Sequence, residues 1–227
     1  MNKLPKIFCL TLKSTPKRKE YAESHFKKHN VDVEFFEGFD GPLSGLRTTI
    51  PFTEHDKEIF IRQGRIGCIL SHYMLWKTIW HSSYDEVLIL EDDAQLVDNF
   101  TEKFLEIKSR LPNDWQYVFV GHCCLPQMEH NTIISDGIIY PIHPPMCTHA
   151  YMIKKSSIPT LIDTNSQIQA AVDVQIQLKS LKQLKHYVLN PPLVNQMSLL
   201  QQQNPELFDN NDKTFASLTL DANFESY

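Results

Sequence analysis

Residues 87–96 read VLILEDDAQL, four apolar residues that run straight into three consecutive carboxylates, Glu91, Asp92 and Asp93. Carboxylates this close repel, and beside apolar walls their charge is unfavourable unless something positive sits with them. In an extended chain residues i and i+2 point the same way. Glu91 and Asp93 are therefore expected to project together from a strand end, with Asp92 turned to the other side. Two carboxylates on a rigid strand end suit a hard divalent cation, Mn2+ or Mg2+, which would give a bound diphosphate something to coordinate. A plainer reading stays open beside it, since acidic residues after a strand also cap the next helix or face water.

The elements that must hold this triplet follow from periodicity. Residues 5–12, PKIFCLTL, read as a first buried strand. The next segment has Thr15 at an N-cap position, Pro16 at the first helical position and basic residues near its end, which mark a helix. VDVEFFEG alternates Val31, Val33 and Phe35 and predicts a second strand, so the start is a βαβ unit with parallel pairing. Residues 38–63 read as a loop with a short helix, either a substrate loop or a surface excursion. GRIGCILSHYMLWKTIWHSS places Ile66, Ile69, Leu70, Tyr73, Trp76, Ile79 and Trp80 at helical spacing. After the carboxylates, Asn99 and Glu102 stand in capping-box positions before a helix with Phe100, Phe104, Ile107 and Leu111 on one face. WQYVFVG, GIIYPI and HAYMIKKS are strand-like, and AAVDVQIQLKSLKQL predicts a helix with Ala171, Val174, Leu178 and Leu181 as its core stripe. The expected fold is α/β, a mixed, mostly parallel sheet flanked by helices. One domain is expected over residues 1–200, with a tail over 201–227 anchored by Phe208, Phe215 and Phe224. Open α/β sheets bind ligands at the carboxyl ends of their strands, and the triplet stands at such an end.

Bulk properties narrow the function. The 227 residues, 42% hydrophobic, are enough to bury a core. A formal net charge of -5 argues against a general nucleic-acid binder, which needs an excess of Lys and Arg. The N-terminal apolar run is too short for an export signal, and no segment approaches roughly 20 apolar residues, so no membrane span is expected. A cytoplasmic location is the expectation, although a domain cut from a longer protein would read the same. The five cysteines are Cys9, Cys68, Cys123, Cys124 and Cys147. An odd count, with Cys9 and Cys68 inside apolar patterns, fits small core thiols in a reducing compartment. His122, Cys123, Cys124, Cys147 and His149 offer zinc-ligand types, but adjacent cysteines chelate one tetrahedral ion poorly and no CxxC pair occurs.

GRIGCILSHYMLW followed by VLILEDDA resembles glycosyltransferase family 25. That family includes bacterial lipooligosaccharide galactosyltransferases and the galactosyltransferase domain of procollagen-modifying enzymes. In the same order, LTLKSTPKR resembles the family's Asn-Leu-x-x-x-x-x-Arg segment and WQYVFVG its central strand. THAYMI and AVD resemble later motifs, and PPLVNQ the closing one, so the likeness runs from about Leu10 to Gln196. It implies a GT-A fold, a UDP-hexose donor, a divalent metal (Mn2+ or Mg2+), transfer with inversion, and a glycan or hydroxylated acceptor. Carried over, Asp93 is the main metal ligand, and Glu91 touches metal, ribose or donor sugar. Asp173, which lies off its helix's apolar stripe, is the base. Thr11 and Lys13 end the first strand, where uracil and phosphates would lie. Arg65, at the mouth of the GRIGC helix, would meet the diphosphate with helix-terminus amides. Ser71 and Asp92 complete the nucleotide-sugar contacts. His72 reads as a hydrogen-bonded core histidine, and Trp76 and Trp80 as core. The sequence departs from the family at Thr11, where Asn is usual, at Ser14 and Lys17, and at Arg65, where an acidic residue is commoner.

Two other functions remain to be weighed. A metal-dependent nucleotidyltransferase would show a glycine-rich loop near the first strand, and LTLKSTPKR contains no glycine. A non-catalytic UDP-sugar-binding domain is left open by the altered N-terminal motif and only 7 glycines. The presence of Glu91, Asp93 and Asp173 counts against it.

Overall fold

The structure, a computed structural model, describes residues 3–40, 59–123 and 131–197, with side chains described from residue 64 in the second segment. The expected tail and most of the expected substrate loop lie outside the described residues.

The first unit forms as its periodicity predicts. Strand β1 (Lys6–Thr11) leads to helix α1 (Pro16–Lys28) and to β2 (Glu34–Glu37), which pairs with β1 in parallel, Cys9 opposite Phe35. Thr15 does not cap α1 with its side chain. Its hydroxyl instead lies 3.4 Å from the Leu12 carbonyl and 3.5 Å from Asp92 Oδ2. Helix α2 (Ile59–Trp80) starts five residues before the GRIGC motif, because the preceding IFIRQ continues the helical turn. It buries Ile66, Ile69, Trp76 and Ile79, together with Leu75, which the predicted stripe omitted. Trp80 is not core: it is 43% exposed, with Lys155 Nζ 5.9 Å from its ring centre.

Strand β3 (Glu86–Glu91) carries the VLIL run and is buried from Val87 to Leu90. A turn at Asp92 and Asp93 feeds β4 (Ala94–Leu96) and then α3 (Phe100–Lys108). Asn99 does not form the expected capping box. It is left-handed, φ 58°, and makes no side-chain cap bond. The remaining strands are β5 (Tyr117–Phe119), β6 (Thr132–Ser135), β7 (Ile138–Tyr140), β8 (Ala150–Lys154), β9 (His186–Leu189) and β10 (Val194–Gln196). Between β8 and β9 lie α4 (Ile158–Thr164) and α5 (Val172–Gln175), the latter continued by a π-helical turn, Ile176–Ser180. That wider turn shifts the face. Val172, Gln175, Ile176, Ser180 and Leu181 are buried, while Leu178, expected in the core, is 53% exposed.

The main sheet has eight strands in the order β2-β1-β3-β8-β5-β9-β7-β6. β2, β1, β3, β5, β9 and β6 share one direction, and β8 and β7 run against them. This is the expected mixed α/β arrangement, with most strands running in one direction. β10 pairs with β4 as a separate antiparallel ribbon. Alternation along the central strands sorts the core into two layers. Leu88, Leu90 and Met152 pack on α1 and α3 through Phe26, Phe100 and Phe104. Ile89, Tyr151 and Phe119 pack on α2, α4 and α5 through Trp76, Leu161 and Ile176. Among the described residues no helix is long and apolar enough to cross a membrane.

One polar contact ties α1 to the ribbon. The Leu96 backbone N–H donates to His25 Nε2 at 2.9 Å, which requires that nitrogen to be unprotonated. Burial first, then His29 and Lys28, push the His25 pKa down to about 4. Between about 4 and the ordinary His value near 6.5, the unfolded chain binds the proton and the folded one does not. The stability from this contact is therefore complete above about 6.5 and lost as the pH falls toward 4. His25→Ala is expected to destabilise the fold by about 1 kcal/mol at pH 7. Urea unfolding at several pH values should show a shallower acid limb in that variant than in the wild type.

Candidate active site

The carboxyl ends of β1, β3, β5 and β9 lie on one edge of the sheet because those strands share a direction, and the start of antiparallel β8 meets them there. This edge collects Thr11, Glu91, Gly121 and the Thr148–His149 pair. Glu91 N–H donates to the His149 carbonyl at 2.9 Å, extending the β3–β8 ladder to the acidic triplet.

The triplet does not alternate as an extended strand would, because β3 ends at Glu91 and the two aspartates sit in a turn. Asp92 and Asp93 are drawn to a common cation. The Arg18 guanidinium pairs with Asp92 Oδ1 and lies 3.7 Å from Asp93 Oδ2. Arg18 thus supplies positive charge that the opening stretch demands. Burial pushes the Asp92 carboxyl up to about 6, with Asp93 and Glu91 adding to the rise and Arg18 opposing it. The Asp93 carboxyl is likewise raised by burial and by Glu91, against Arg18. Gln196 Nε2 donates to Asp93 Oδ2 at 3.0 Å, while Asp93 Oδ1 is buried with no hydrogen-bond partner among the described residues.

Glu91 has different neighbours. His72 Nε2 lies 3.1 Å, and the Thr148 hydroxyl 2.7 Å, from its Oε1. Burial alone would raise this carboxyl, but the His72 and Thr148 contacts, with His149 nearby, hold it below the ordinary range. His72 Nδ1 lies 2.8 Å from Tyr151 Oη, which also accepts the Trp76 indole N–H at 2.9 Å, so His72 is the buried, hydrogen-bonded histidine expected. Glu91 is the most open of the triplet, its side chain 22% exposed against 8% for Asp92 and 7% for Asp93.

Asp173 reaches the same edge from α5. Its Oδ1 accepts the Val174 N–H at 2.8 Å and its Oδ2 the Cys147 N–H at 3.3 Å. Cys147 is held in turn. It is left-handed, φ 77°, disulfide-bonded to Cys123, and its Sγ lies 3.8 Å from Gln196 Oε1. Cys123 and Cys147 are therefore not the reduced core thiols expected, and their sulfurs are not zinc thiolates; Cys124 lies outside the described residues. Cys9 and Cys68 are free thiols. The convergence of the carboxylates is registered at Cys68, whose thiol is pushed up first by burial and then by Glu91, Asp173, Asp93 and Asp92.

The other predicted residues are spread around this edge. Thr11 is buried, and its carbonyl accepts the Gly38 N–H at 2.8 Å. Lys13 is exposed beyond β1. Arg65 is not at a helix mouth. α2 begins at Ile59, so the free amides of its first turn lie well before Arg65. The Ser71 hydroxyl donates to the Gly67 carbonyl at 2.7 Å and accepts the Phe39 N–H at 2.8 Å, which pins the chain after β2 onto α2. A Cβ on Gly38 would meet that oxygen at 2.5 Å, so residue 38 is glycine where the two backbones close up. Arg18, Thr148 and Gln196 were not singled out as site residues, and His149 was weighed only as a zinc ligand beside the cysteines. Each lies in a segment that carried the resemblance, LTLKSTPKR, THAYMI or PPLVNQ, and that was the available signal.

Two acceptors on this edge have no hydrogen-bond donor among the described residues. Asp93 Oδ1 is an unpartnered buried acceptor, and so is His149 Nδ1, since the ring's Nε2 contacts the Val194 carbonyl at 3.2 Å and must carry the hydrogen. Two buried lone pairs without donors, near two aspartates raised first by burial and then by neighbouring carboxylates, are groups that a divalent cation could satisfy.

The family described as Glycosyltransferase family 25 (LPS biosynthesis protein) matches residues 4–176. The chain belongs to this family. A glycosyltransferase 25 family member of Aedes aegypti is 24% identical over 167 residues, covering 69% of this chain and 28% of that protein. Procollagen galactosyltransferase 2 of Homo sapiens is 24% identical over 132 residues, covering 51% of this chain and 20% of that protein. The chain thus corresponds to less than a third of the length of either relative. A solved glycosyltransferase involved in glycosylation of the major capsid of PBCV-1 overlays with a TM-score of 0.45 at 13% identity, covering 90% of this chain and all of that one.

Arg18→Ala would leave two buried carboxylates facing each other without compensation. A loss of about 3–5 kcal/mol is expected, with partial recovery in the double variant Arg18→Ala/Asp92→Asn. Urea unfolding followed by circular dichroism measures both.

Proposed function

We propose that the chain is a glycosyltransferase domain. It transfers a hexose, galactose or glucose, from a UDP-sugar to a saccharide or hydroxylated acceptor, with inversion and with a divalent cation, Mn2+ or Mg2+. The observation that carries the proposal is the convergence of Glu91, Asp93 and Asp173 on one sheet edge, with an unpartnered oxygen on Asp93. Family membership supports the transferase class. The name of the human relative, procollagen galactosyltransferase 2, and the family's description as an LPS biosynthesis protein support a hexose donor and a saccharide or hydroxylated acceptor.

Asp93 and Glu91, with His149 beside them, are the residues that would hold the cation. Bound there, it would stabilise the negative charge that develops on the departing diphosphate. The chain's own groups do the rest. Gln196 and Arg18 hold Asp93 Oδ2 and leave Oδ1 for a ligand. His72 and Thr148 both bind Glu91 Oε1, so its other oxygen can meet the donor. Lys13 and Arg65 would supply positive charge for the phosphates. Asp173 removes the acceptor hydroxyl's proton. Each of its oxygens already accepts one backbone N–H, which fixes the carboxylate and leaves a lone pair for that proton. The acceptor O–H bond breaks, its oxygen bonds to the sugar's anomeric carbon, and the bond from that carbon to the diphosphate breaks. Displacement from the face opposite UDP gives inversion.

UDP release measured with a panel of UDP-sugars, with Mn2+ and with chelator, tests this. One UDP-hexose should be turned over, slowly even without acceptor, and chelator or Asp93→Ala should abolish the signal. Asp173→Asn should lower kcat by about 10²–10⁴-fold while leaving donor binding largely intact. Binding of a UDP-sugar without turnover on any acceptor would leave a non-catalytic binding domain, and absence of both would overturn the proposal.

A further inference from the structure

Cys68 and His72 sit four residues apart on α2, so they share one face of the helix. That face meets the end of β3. The Cys68 sulfur, a His72 ring nitrogen and a Glu91 carboxylate oxygen all lie within 4.8 Å of one another. One of the three pairs, His72 Nε2 and Glu91 Oε1, is 3.1 Å apart. Around a tetrahedral zinc ion with bonds of about 2.0–2.3 Å, neighbouring ligand atoms lie roughly 3.3–3.8 Å apart. A trio held within 4.8 Å therefore needs at most about an ångström of adjustment to reach that spacing.

The surroundings are those of a cation site. His72 Nε2 now carries the hydrogen that faces Glu91. An ion there would replace it, and the proton would move to Nδ1, 2.8 Å from Tyr151 Oη, which is itself fixed by the Trp76 indole N–H at 2.9 Å. An imidazole oriented from behind by a hydrogen bond is the usual support of a metal-ligating histidine. Thr148 holds Glu91 in the same way at 2.7 Å. His72 is buried, whereas Cys68 and Glu91 are half-buried. The field is negative, since Glu91, Asp173, Asp93 and Asp92 all act on the Cys68 sulfur. That field disfavours a bare thiolate but favours a thiolate that carries a divalent ion.

We propose that Cys68, His72 and Glu91 form a binding site for a borderline divalent cation of the zinc class. The mixed sulfur, nitrogen and oxygen donors suit Zn2+ or Co2+ and do not suit Mg2+ or Mn2+. The site differs in chemistry from the carboxylate site around Asp93 and shares only Glu91 with it. Its binding does not depend on the chain's turning over a sugar nucleotide.

Co2+ titration of the full chain under reducing-agent-free conditions tests the site directly, because a thiolate bound to Co2+ gives a sulfur-to-metal charge-transfer band that carboxylate sites lack. The wild type should develop this band at one equivalent, lose it when Zn2+ is added, and keep it when Mg2+ is added. Cys68→Ser should abolish the band with an unchanged circular dichroism spectrum and melting temperature. Glu91→Gln should weaken Co2+ binding at least tenfold while retaining the band at saturation. Absence of the band in the folded wild type, or its persistence in Cys68→Ser, would overturn the proposal and leave a hydrogen-bonded trio only.

Discussion

A guanidinium wedged against two aspartates is the interaction on which the rest of this edge depends. Three consecutive carboxylates at the end of a buried strand would repel one another and face apolar walls. Arg18 takes up Asp92 and reaches Asp93, and it comes from α1, the crossover of the first βαβ unit. The βαβ topology thus places the first turn of α1 against the acidic turn after β3. This leaves a graded set of carboxylates. Asp92 is paired, Asp93 is half-satisfied with one free oxygen, and Glu91 is oriented by His72 and Thr148 and partly open. Charge repulsion among the three is thus only partly relieved by protein groups.

The second constraint is the narrow space on the far side of that edge. β10 lies against β4, and its Gln196 binds Asp93 while its Val194 carbonyl binds His149. A Cβ on Gly121 would meet both His149 Nε2 and that carbonyl at 2.4 Å, so only glycine lets the ring in. The Cys123–Cys147 bond fixes the chain just before Thr148 and His149, and the Cys147 N–H fixes Asp173. The Cys147–Thr148 backbone therefore links the candidate base to a residue that orients Glu91. Elements far apart in sequence, α1, β3, β8, α5 and β10, each contribute one group, which is why a contiguous motif accounts for so little of the site.

Much of the architecture was legible where periodicity was strong. The first βαβ unit, the long amphipathic α2, the VLIL strand and the flanking layers follow from apolar spacing. The errors are equally physical. Asn99 adopts a left-handed conformation instead of capping α3, and a π-turn after α5 moved Leu178 into solvent. β4, β6, β9 and β10 were not predicted, being only three or four residues long and defined by their pairing partners more than by their own pattern. The disulfide was misread because an odd cysteine count and apolar surroundings say nothing about which sulfurs meet.

By itself the sequence determined the fold class, the acidic triplet at a strand end, and the order of segments that marks glycosyltransferase family 25. These are local properties, written in residue type and spacing. Only the tertiary structure decided which charges meet. It turned Asp92 and Asp93 toward one arginine after the strand had ended, gave Glu91 to His72, brought Asp173 to the backbone of Cys147, and left Asp93 Oδ1 and His149 Nδ1 without hydrogen-bond partners among the described residues. Hydrogen bonds and ion pairs act over a few ångströms, and the separation along the chain does not enter them, so the pairing of residues 18 with 93 or 93 with 196 is set by packing and not by pattern.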